Sequence, residues 1–245
     1  MARAGVGARR ACGEMIKDGR VSVDGSVVRH PGHKVDPGEV RVTVDGRPIG
    51  RARSAVYLLV NKPAGFITTR NDPRRRKTVM DLVDPGLARY IYPVGRLDRD
   101  ATGLLLLTND GDLAHRLAHP SHHVPKAYEV IVAGQPDDEA LNRLRNRVEL
   151  DDGPTAPAKV KVHRRAGGHT TLKITLREGR HNQVKRMCAA VGHPVAALRR
   201  VSFGSLHIGN MAEGAVRPLR PTEVHALKEA VGMSDKPPDE SHPSE

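Results

Sequence analysis

The stretch GRLDRDATGLLLLT, residues 95–108, joins a polar turn to a continuous apolar run. The four leucines at 104–107 are typical of a strand buried on both faces. Asp98 stands on the glycine-flanked turn beside that strand, where a carboxylate can be held rigidly for catalysis. From spacing alone, a turn aspartate paired with Arg96 or Arg99 is the commoner explanation, so both interpretations stay open.

The composition indicates a polyanionic partner. Among 245 residues, 40 lysines and arginines stand against 28 acidic residues, which gives a formal net charge of +12 and a pI of about 10.1. This excess favours binding to nucleic acid or to an anionic membrane surface. Only 2% of the residues are aromatic and tryptophan is absent, which weakens any model of bases stacked along rows of aromatic side chains.

The sequence predicts neither a membrane span nor secretion. No apolar run reaches the roughly 18 residues of a membrane helix, and the opening residues MARAGVGARR lack the apolar region of a signal peptide. Cys12 and Cys188 lie far apart, so neither a disulfide framework nor a cysteine zinc site is expected. We therefore expect a soluble, cytoplasmic protein.

Residues 1–53 are predicted to form a small unit of their own. The pattern over 5–18 predicts an amphipathic helix that Gly19 ends. Alternating apolar residues flank Asp-Gly pairs at 24–25 and 45–46, which is typical of two hairpins. The first unit therefore combines one helix with hairpins.

From residue 54 onward, the sequence predicts longer apolar strands and helices that together form a larger domain. Strands are predicted over 56–60, 104–108, 126–133, 158–163 and 170–177, and helices over 112–118 and 181–191. Because strands and helices do not alternate regularly, the predicted fold class is α+β. The tail 233–245 is acidic and proline-rich and predicts disorder, so the larger domain is expected to span 54–232.

Two basic stretches suit phosphate groups. Residues 178–186, EGRHNQVKR, place Arg180 in a turn and Lys185 and Arg186 on the helix that follows, where N–H groups and cationic side chains can bind an anion. The run Arg74–Lys77 suits phosphate contact in the same way. A solvated basic surface is the alternative for both, and it is the commoner explanation for Lys-Arg pairs.

Metal and nucleotide sites are not expected. His115 and His119 stand at i and i+4 of a predicted helix, a spacing that can bind zinc. No glutamate lies between them and Pro120 ends the helix, so we expect surface or RNA-facing histidines and no metal. The glycine-rich fingerprints GxGxxG and GxxxxGK[ST] are absent, and we expect no cofactor.

Four motifs in order resemble the pseudouridine synthases, most closely their RsuA-like branch, which acts on ribosomal RNA. The motifs are NKPAG at 61–65, GRLD followed by TGLL at 95–105, KAY at 126–128 and EGRHNQVKRM at 178–187. Residues 5–50 also resemble a small αL RNA-binding domain first described in a small-subunit ribosomal protein. That domain usually has a further half-turn before the segment at 4–10, so either Met1 is a late start or the first helix is short.

The resemblance implies roles for particular residues. The family's catalytic carboxylate corresponds to Asp98. The tyrosine that stacks on the target base and accepts its proton corresponds to Tyr128, and the basic partner of the carboxylate corresponds to Lys185. RNA contacts are expected from Arg9, Arg10, Lys62, Arg96, Arg180 and Arg186. The implied fold is a small N-terminal αL RNA-binding domain and a catalytic domain whose mixed, mainly antiparallel sheet is flanked by helices.

The implied reaction isomerises one uridine of ribosomal RNA, with large-subunit RNA favoured by the likeness of the motifs. A carbon–nitrogen bond breaks and re-forms as carbon–carbon without redox change, so neither metal nor cofactor is required. An ionised carboxylate can act as nucleophile or base, and Lys185 would keep Asp98 ionised by charge pairing. The alternatives are a non-catalytic RNA-binding or ribosome-assembly factor with this fold and a hydrolase of nucleoside bonds. We expect a monomer with ribosomal RNA as partner.

Overall fold

The computed structural model describes residues 1–7, 9–36, 39–50 and 54–233. The chain divides into two compact units, Met1–Val56 and Tyr57–Glu245. The predicted disordered tail lies, from position 234 onward, outside the described residues. In the described part of the chain, every helix is too short or too polar to cross a bilayer.

The first unit consists of one helix and four short strands. Helix α1 spans Arg9–Lys17, and the strands are β1 (Val21–Val23), β2 (Ser26–Val28), β3 (Val42–Val44) and β4 (Arg47–Pro48). The strands form an antiparallel sheet in the order β2-β1-β3-β4. Asp24 and Asp45 have φ of 47° and 50°, the left-handed conformation that Asp-Gly hairpin turns favour. The predicted helix and hairpins are confirmed, although the helix begins only at Arg9.

The second unit is built on one sheet. Its strands are β5 (Tyr57–Lys62), β6 (Tyr92–Val94), β7 (Thr102–Thr108), β8 (Lys126–Ala133), β9 (Lys159–Ala166), β10 (His169–Leu176), β11 (Val195–Phe203), β12 (Leu206–His207) and β13 (Val216–Pro218). The order is β13-β5-β7-β11-β8-β10-β9, with β6 paired to β7 and β12 to β11. Strands β7 and β11 run parallel, and the other described pairs are antiparallel. The predicted α+β class with a mixed, mainly antiparallel sheet is confirmed.

Helices cover the two halves of this sheet with separate apolar clusters. They are α2 (Pro85–Ala88), α3 (Gly111–Ala118), α4 (Asp138–Asn146), α5 (Gln183–Ala190) and α6 (Pro221–Glu229). One cluster joins α4 and α5 to β8 and β10, and the other joins α3 and α6 to β7. The strands β6 and β11–β13 and the helices α2, α4 and α6 were not predicted from the sequence.

The parallel contact between β7 and β11 brings distant motifs together. Gly103 of β7 pairs with Arg200 of β11, and Arg200 pairs in turn with Tyr128 of β8. A side chain at Gly103 would place its Cβ 2.2 Å from the Arg200 carbonyl oxygen, and the φ of Gly103 is 107°. Only glycine allows so close an approach in this conformation. The end of the Asp98 turn is thereby held beside Tyr128.

Candidate active site

The turn that carries Asp98 is fixed by its neighbours on both sides. The Thr68 hydroxyl donates to the Leu97 carbonyl at 2.8 Å and accepts the Leu97 N–H at 3.2 Å. Leu97 and Ala101 are buried in the cluster under α4 and α5, while the Asp98 side chain is 33% exposed. Buried anchors therefore hold an accessible carboxylate.

Lys62 supports the same turn from β5. Its ammonium donates to the carbonyls of Ala101 at 2.6 Å, Pro63 at 3.0 Å and Arg99 at 3.3 Å. The side chain is fully buried, and this burial lowers the pKa of Lys62 to about 8, although nearby carboxylates oppose the shift. The expectation that Lys62 contacts RNA is wrong for this structure, because all three of its donors point to backbone carbonyls inside the fold.

Asp98 is contacted from the start of α5 by two side chains. Lys185 Nζ lies 3.6 Å from Asp98 Oδ2. The Asn182 amide nitrogen, in the orientation that satisfies both groups, donates to Asp98 Oδ1 at 3.0 Å and to Oδ2 at 2.6 Å. Asn182 lies within the EGRHNQVKRM motif but was not among the predicted site residues.

Lys185 is shared between two carboxylates. It donates to Asp100 at 2.6 and 2.8 Å, closer than its approach to Asp98. The hydrogen bond with Lys185 lowers the pKa of Asp100 below its ordinary value. The expected pairing of Lys185 with Asp98 is present as an ion pair at 3.6 Å, and Asp100 is a second, nearer partner that the sequence did not predict. A cleft of about 510 Å³, lined in part by Asp100, Thr102 and Lys185, opens beside this pair.

Tyr128 lies on β8 at the edge of the same apolar cluster as Leu97 and is 9% exposed. Its cross-strand neighbour Arg200 is only 2% exposed. The Arg200 Nε donates to the Leu104 carbonyl at 2.7 Å, and the Arg200 Cζ lies 5.2 Å from the centre of the Phe203 ring. Burial lowers the pKa of Arg200, and its electrostatic attraction to Tyr128 acts in the opposite direction. Sequence reasoning missed Arg200 because an Arg-Arg pair indicates an exposed surface.

Two of the predicted RNA-binding arginines are occupied within the protein. Arg180 donates to the carbonyls of Gly153 at 2.8 Å and Pro154 at 2.5 Å. Arg186 binds the carboxylates of Asp151 and Asp152, and this contact lowers the pKa of Asp152 to about 2. Both arginines therefore hold the loop between α4 and β9 while their side chains stay partly exposed, and their contact with RNA remains a prediction.

The remaining predicted RNA contacts are on the surface. Arg96 is exposed on the turn two residues before Asp98, and Arg9 and Arg10 are exposed in the first turn of α1.

The rings of His115 and His119 lie 5.4 Å apart. Across the residues that the structure describes, no three His, Cys, Asp or Glu side chains cluster as metal ligands would.

Comparison with known proteins identifies both units. Residues 56–190 match the family model for RNA pseudouridylate synthases, and residues 1–40 match the S4 domain. An uncharacterized RNA pseudouridine synthase of Mycobacterium tuberculosis is 45% identical over 235 residues, which cover 95% of this chain and 92% of that protein. The Bacillus subtilis protein called ribosomal large subunit pseudouridine synthase B is 41% identical over 230 residues, or 93% of each chain. A crystal structure of a pseudouridylate synthase is 30% identical, with a TM-score of 0.67, and the match covers 90% of this chain and 94% of that one.

Proposed function

Because the chain belongs to the RNA pseudouridylate synthase family, we propose that it isomerises a specific uridine of large-subunit ribosomal RNA with Asp98 as the catalytic carboxylate. The family membership confirms the resemblance inferred from the four motifs. The choice of ribosomal RNA follows from the relatives called ribosomal large subunit pseudouridine synthase B. Such a substrate would be met in the cytoplasm.

The observation that carries the proposal is the environment of Asp98. Its carboxylate is partly exposed on a rigid turn, and Lys185 and Asn182 contact its oxygens from the start of α5. A carboxylate that must attack or take a proton needs exposure toward substrate and neighbours that hold it in place. Asp98 has both.

Tyr128 and Arg96 complete the proposed catalytic arrangement. The target uridine must leave the RNA stack, and this unstacking costs a few kcal/mol. Arg96, exposed two residues from Asp98, is suited to hold the RNA at the position that the base vacates. Tyr128 would stack on the flipped base and take the proton from its carbon 5. The carbon–nitrogen bond to the sugar breaks, the base turns, and the new carbon–carbon bond forms.

RNA binding is proposed to extend to the N-terminal unit. Residues 1–40 match the S4 domain, and Arg9 and Arg10 are exposed on α1. We assign RNA binding to residues 1–53 and catalysis to 54–232, in a monomer. Deletion of 1–53 should weaken RNA binding, and each lost phosphate contact should reduce the slope of log affinity against log salt by roughly 0.7 to 0.9. An unchanged slope would show that this unit does not bind the RNA.

The proposal is tested by Asp98→Asn, which keeps the shape of the side chain and removes its charge. With large-subunit rRNA transcripts that carry tritium at carbon 5 of uridine, the variant should bind RNA as wild type does and release no tritium. Asp138→Asn is the matched control, since Asp138 is exposed at the start of α4, outside the site. Asp100→Asn is unsuitable as a control, because Asp100 binds Lys185.

The same assay separates the alternatives. A non-catalytic RNA-binding factor would bind the transcript without releasing tritium in the wild-type protein. A hydrolase of nucleoside bonds would leave abasic sites in the RNA in place of pseudouridine. Full turnover by Asp98→Asn would show that another group carries the chemistry.

A further inference from the structure

Asn182 stands at the start of α5 without the side-chain cap that this position usually carries. It precedes α5 with φ of 49° and ψ of 28°, the left-handed region that asparagine adopts more readily than most side chains other than glycine. It is also the N-cap residue, and asparagine is among the best N-caps because its side chain accepts an N–H of the first turn. Yet within the described residues its side chain makes no such bond.

The Asn182 side chain is directed to Asp98 instead. Its amide nitrogen approaches Asp98 Oδ1 at 3.0 Å and Oδ2 at 2.6 Å, whereas Lys185 remains 3.6 Å away. The ammonium of Lys185 makes its short contacts with Asp100. Asn182 therefore provides closer hydrogen bonding to the carboxylate than the lysine does.

We propose that Asn182 is a positioning residue, which orients the Asp98 carboxylate for attack or proton removal through its side-chain amide. The start of α5 has no side-chain cap from Asn182, and the amide that could cap it faces Asp98 instead. The inference rests on the proposed role of Asp98.

Asn182→Gly separates positioning from structure. Glycine favours the left-handed backbone and loses no cap, which offsets the loss of the amide contacts to the partly exposed Asp98, so the urea midpoint of unfolding should change little. The amide to Asp98 is lost, and kcat for tritium release from the rRNA transcript should fall roughly 10- to 100-fold, the factor that corresponds to a lost hydrogen bond to a charged group. KM for the transcript should change little, because Asn182 is assigned no RNA contact.

His123→Gly is the matched control. His123 is exposed and has φ of 47° and ψ of 32°, almost the backbone of Asn182, but lies at the end of a 3₁₀ turn outside the site. His123→Gly makes the same change to the backbone, and kcat of this variant should stay at the wild-type value. A kcat loss in His123→Gly equal to that in Asn182→Gly would overturn the inference, since the change to the backbone alone would then explain both.

Asn182→Asp adds a readout that does not depend on stability. A second carboxylate would face Asp98, and two such groups resist being charged together. The pH below which kcat falls should therefore move upward relative to wild type. Wild-type kcat in Asn182→Gly, or an unmoved acid limb in Asn182→Asp, would overturn the positioning role. If Asp98→Asn keeps full turnover, the proposed function itself fails, and the two failures are thus distinguishable.

Discussion

Replacement of Gly103 by alanine tests whether the contact between β7 and β11 organises the site. The added Cβ would lie 2.2 Å from the Arg200 carbonyl oxygen and 2.7 Å from the Arg200 nitrogen. Both atoms are backbone, so no side-chain rotation relieves the clash and the strands must separate. Such overpacking costs about 1–3 kcal/mol. Alanine at φ of 107° adds backbone strain of about 1–3 kcal/mol.

The free energy of unfolding of the second unit should therefore fall by roughly 2–6 kcal/mol, against the 5–15 kcal/mol typical of a domain. Gly153→Ala is the matched control, because Gly153 has φ of 96° and no atom lies within 4 Å of an added Cβ. It should lose only the backbone contribution, about 1–3 kcal/mol.

Urea titration followed by far-UV circular dichroism measures both losses. Where Gly103→Ala is still folded, tritium release should also be slower than in Gly153→Ala, since Arg200 pairs with Tyr128. Equal destabilisation in the two variants would refute the reasoning, because the close approach of β7 and β11 would then add nothing to the backbone strain.

Three further predictions concern single side chains. Tyr128→Phe should keep the ring and the RNA affinity but slow tritium release in single-turnover assays, since only the hydroxyl is lost; an unchanged rate would restrict Tyr128 to stacking. Lys62 has a pKa of about 8 when folded and near 10.5 when unfolded, so the unfolded chain binds more protons between these values and stability rises with pH there. Lys62→Met should show a smaller rise between pH 8 and 10.5 in urea midpoints, and an identical rise would contradict the assigned pKa. Arg217 and the Arg220 N–H lower the pKa of Glu223 to about 2. This shift stabilises the fold above pH 4.5 by at most about 3 kcal/mol, and the stabilisation is lost as the pH falls toward 2. Glu223→Gln should therefore lose less stability than wild type between pH 4.5 and 2 in acid titrations.

Local patterns were sufficient to predict the elements that are apolar throughout or that carry turn signals. The leucines at 104–107 are fully buried in β7, as their continuous run predicts. The two Asp-Gly pairs form the predicted hairpin turns. Strand β11 was missed because VAALRRVSF neither alternates nor runs apolar. Irregular register near Ala197 and between Arg200 and Ser202 breaks the two-residue period there.

Local sequence patterns predict the site residues only in part. The motif placed Asp98 and Lys185 near each other, and the structure brings them to 3.6 Å. Asp98 and Asp100 are only two positions apart, so the sequence does not decide which one Lys185 approaches more closely. Lys62 is a cation that sequence reasoning assigns to the surface. Its burial depends on carbonyls of residues 99–101, which only the tertiary fold delivers.

The positive charges of Lys62 and Lys185 explain how a turn with two aspartates can be held rigidly. Asp98 and Asp100 would repel each other on a short turn, and that repulsion is reduced by cations on two sides. Lys185 reaches both carboxylates from α5, and the buried Lys62 attracts both while it binds the backbone of the turn. A buried ammonium is costly unless its donors are paired. The three carbonyls that pair Lys62 belong to Pro63 and to the turn itself, so the contacts that make its burial tolerable also fix the backbone on either side of Asp100 and hold Asp98 toward α5.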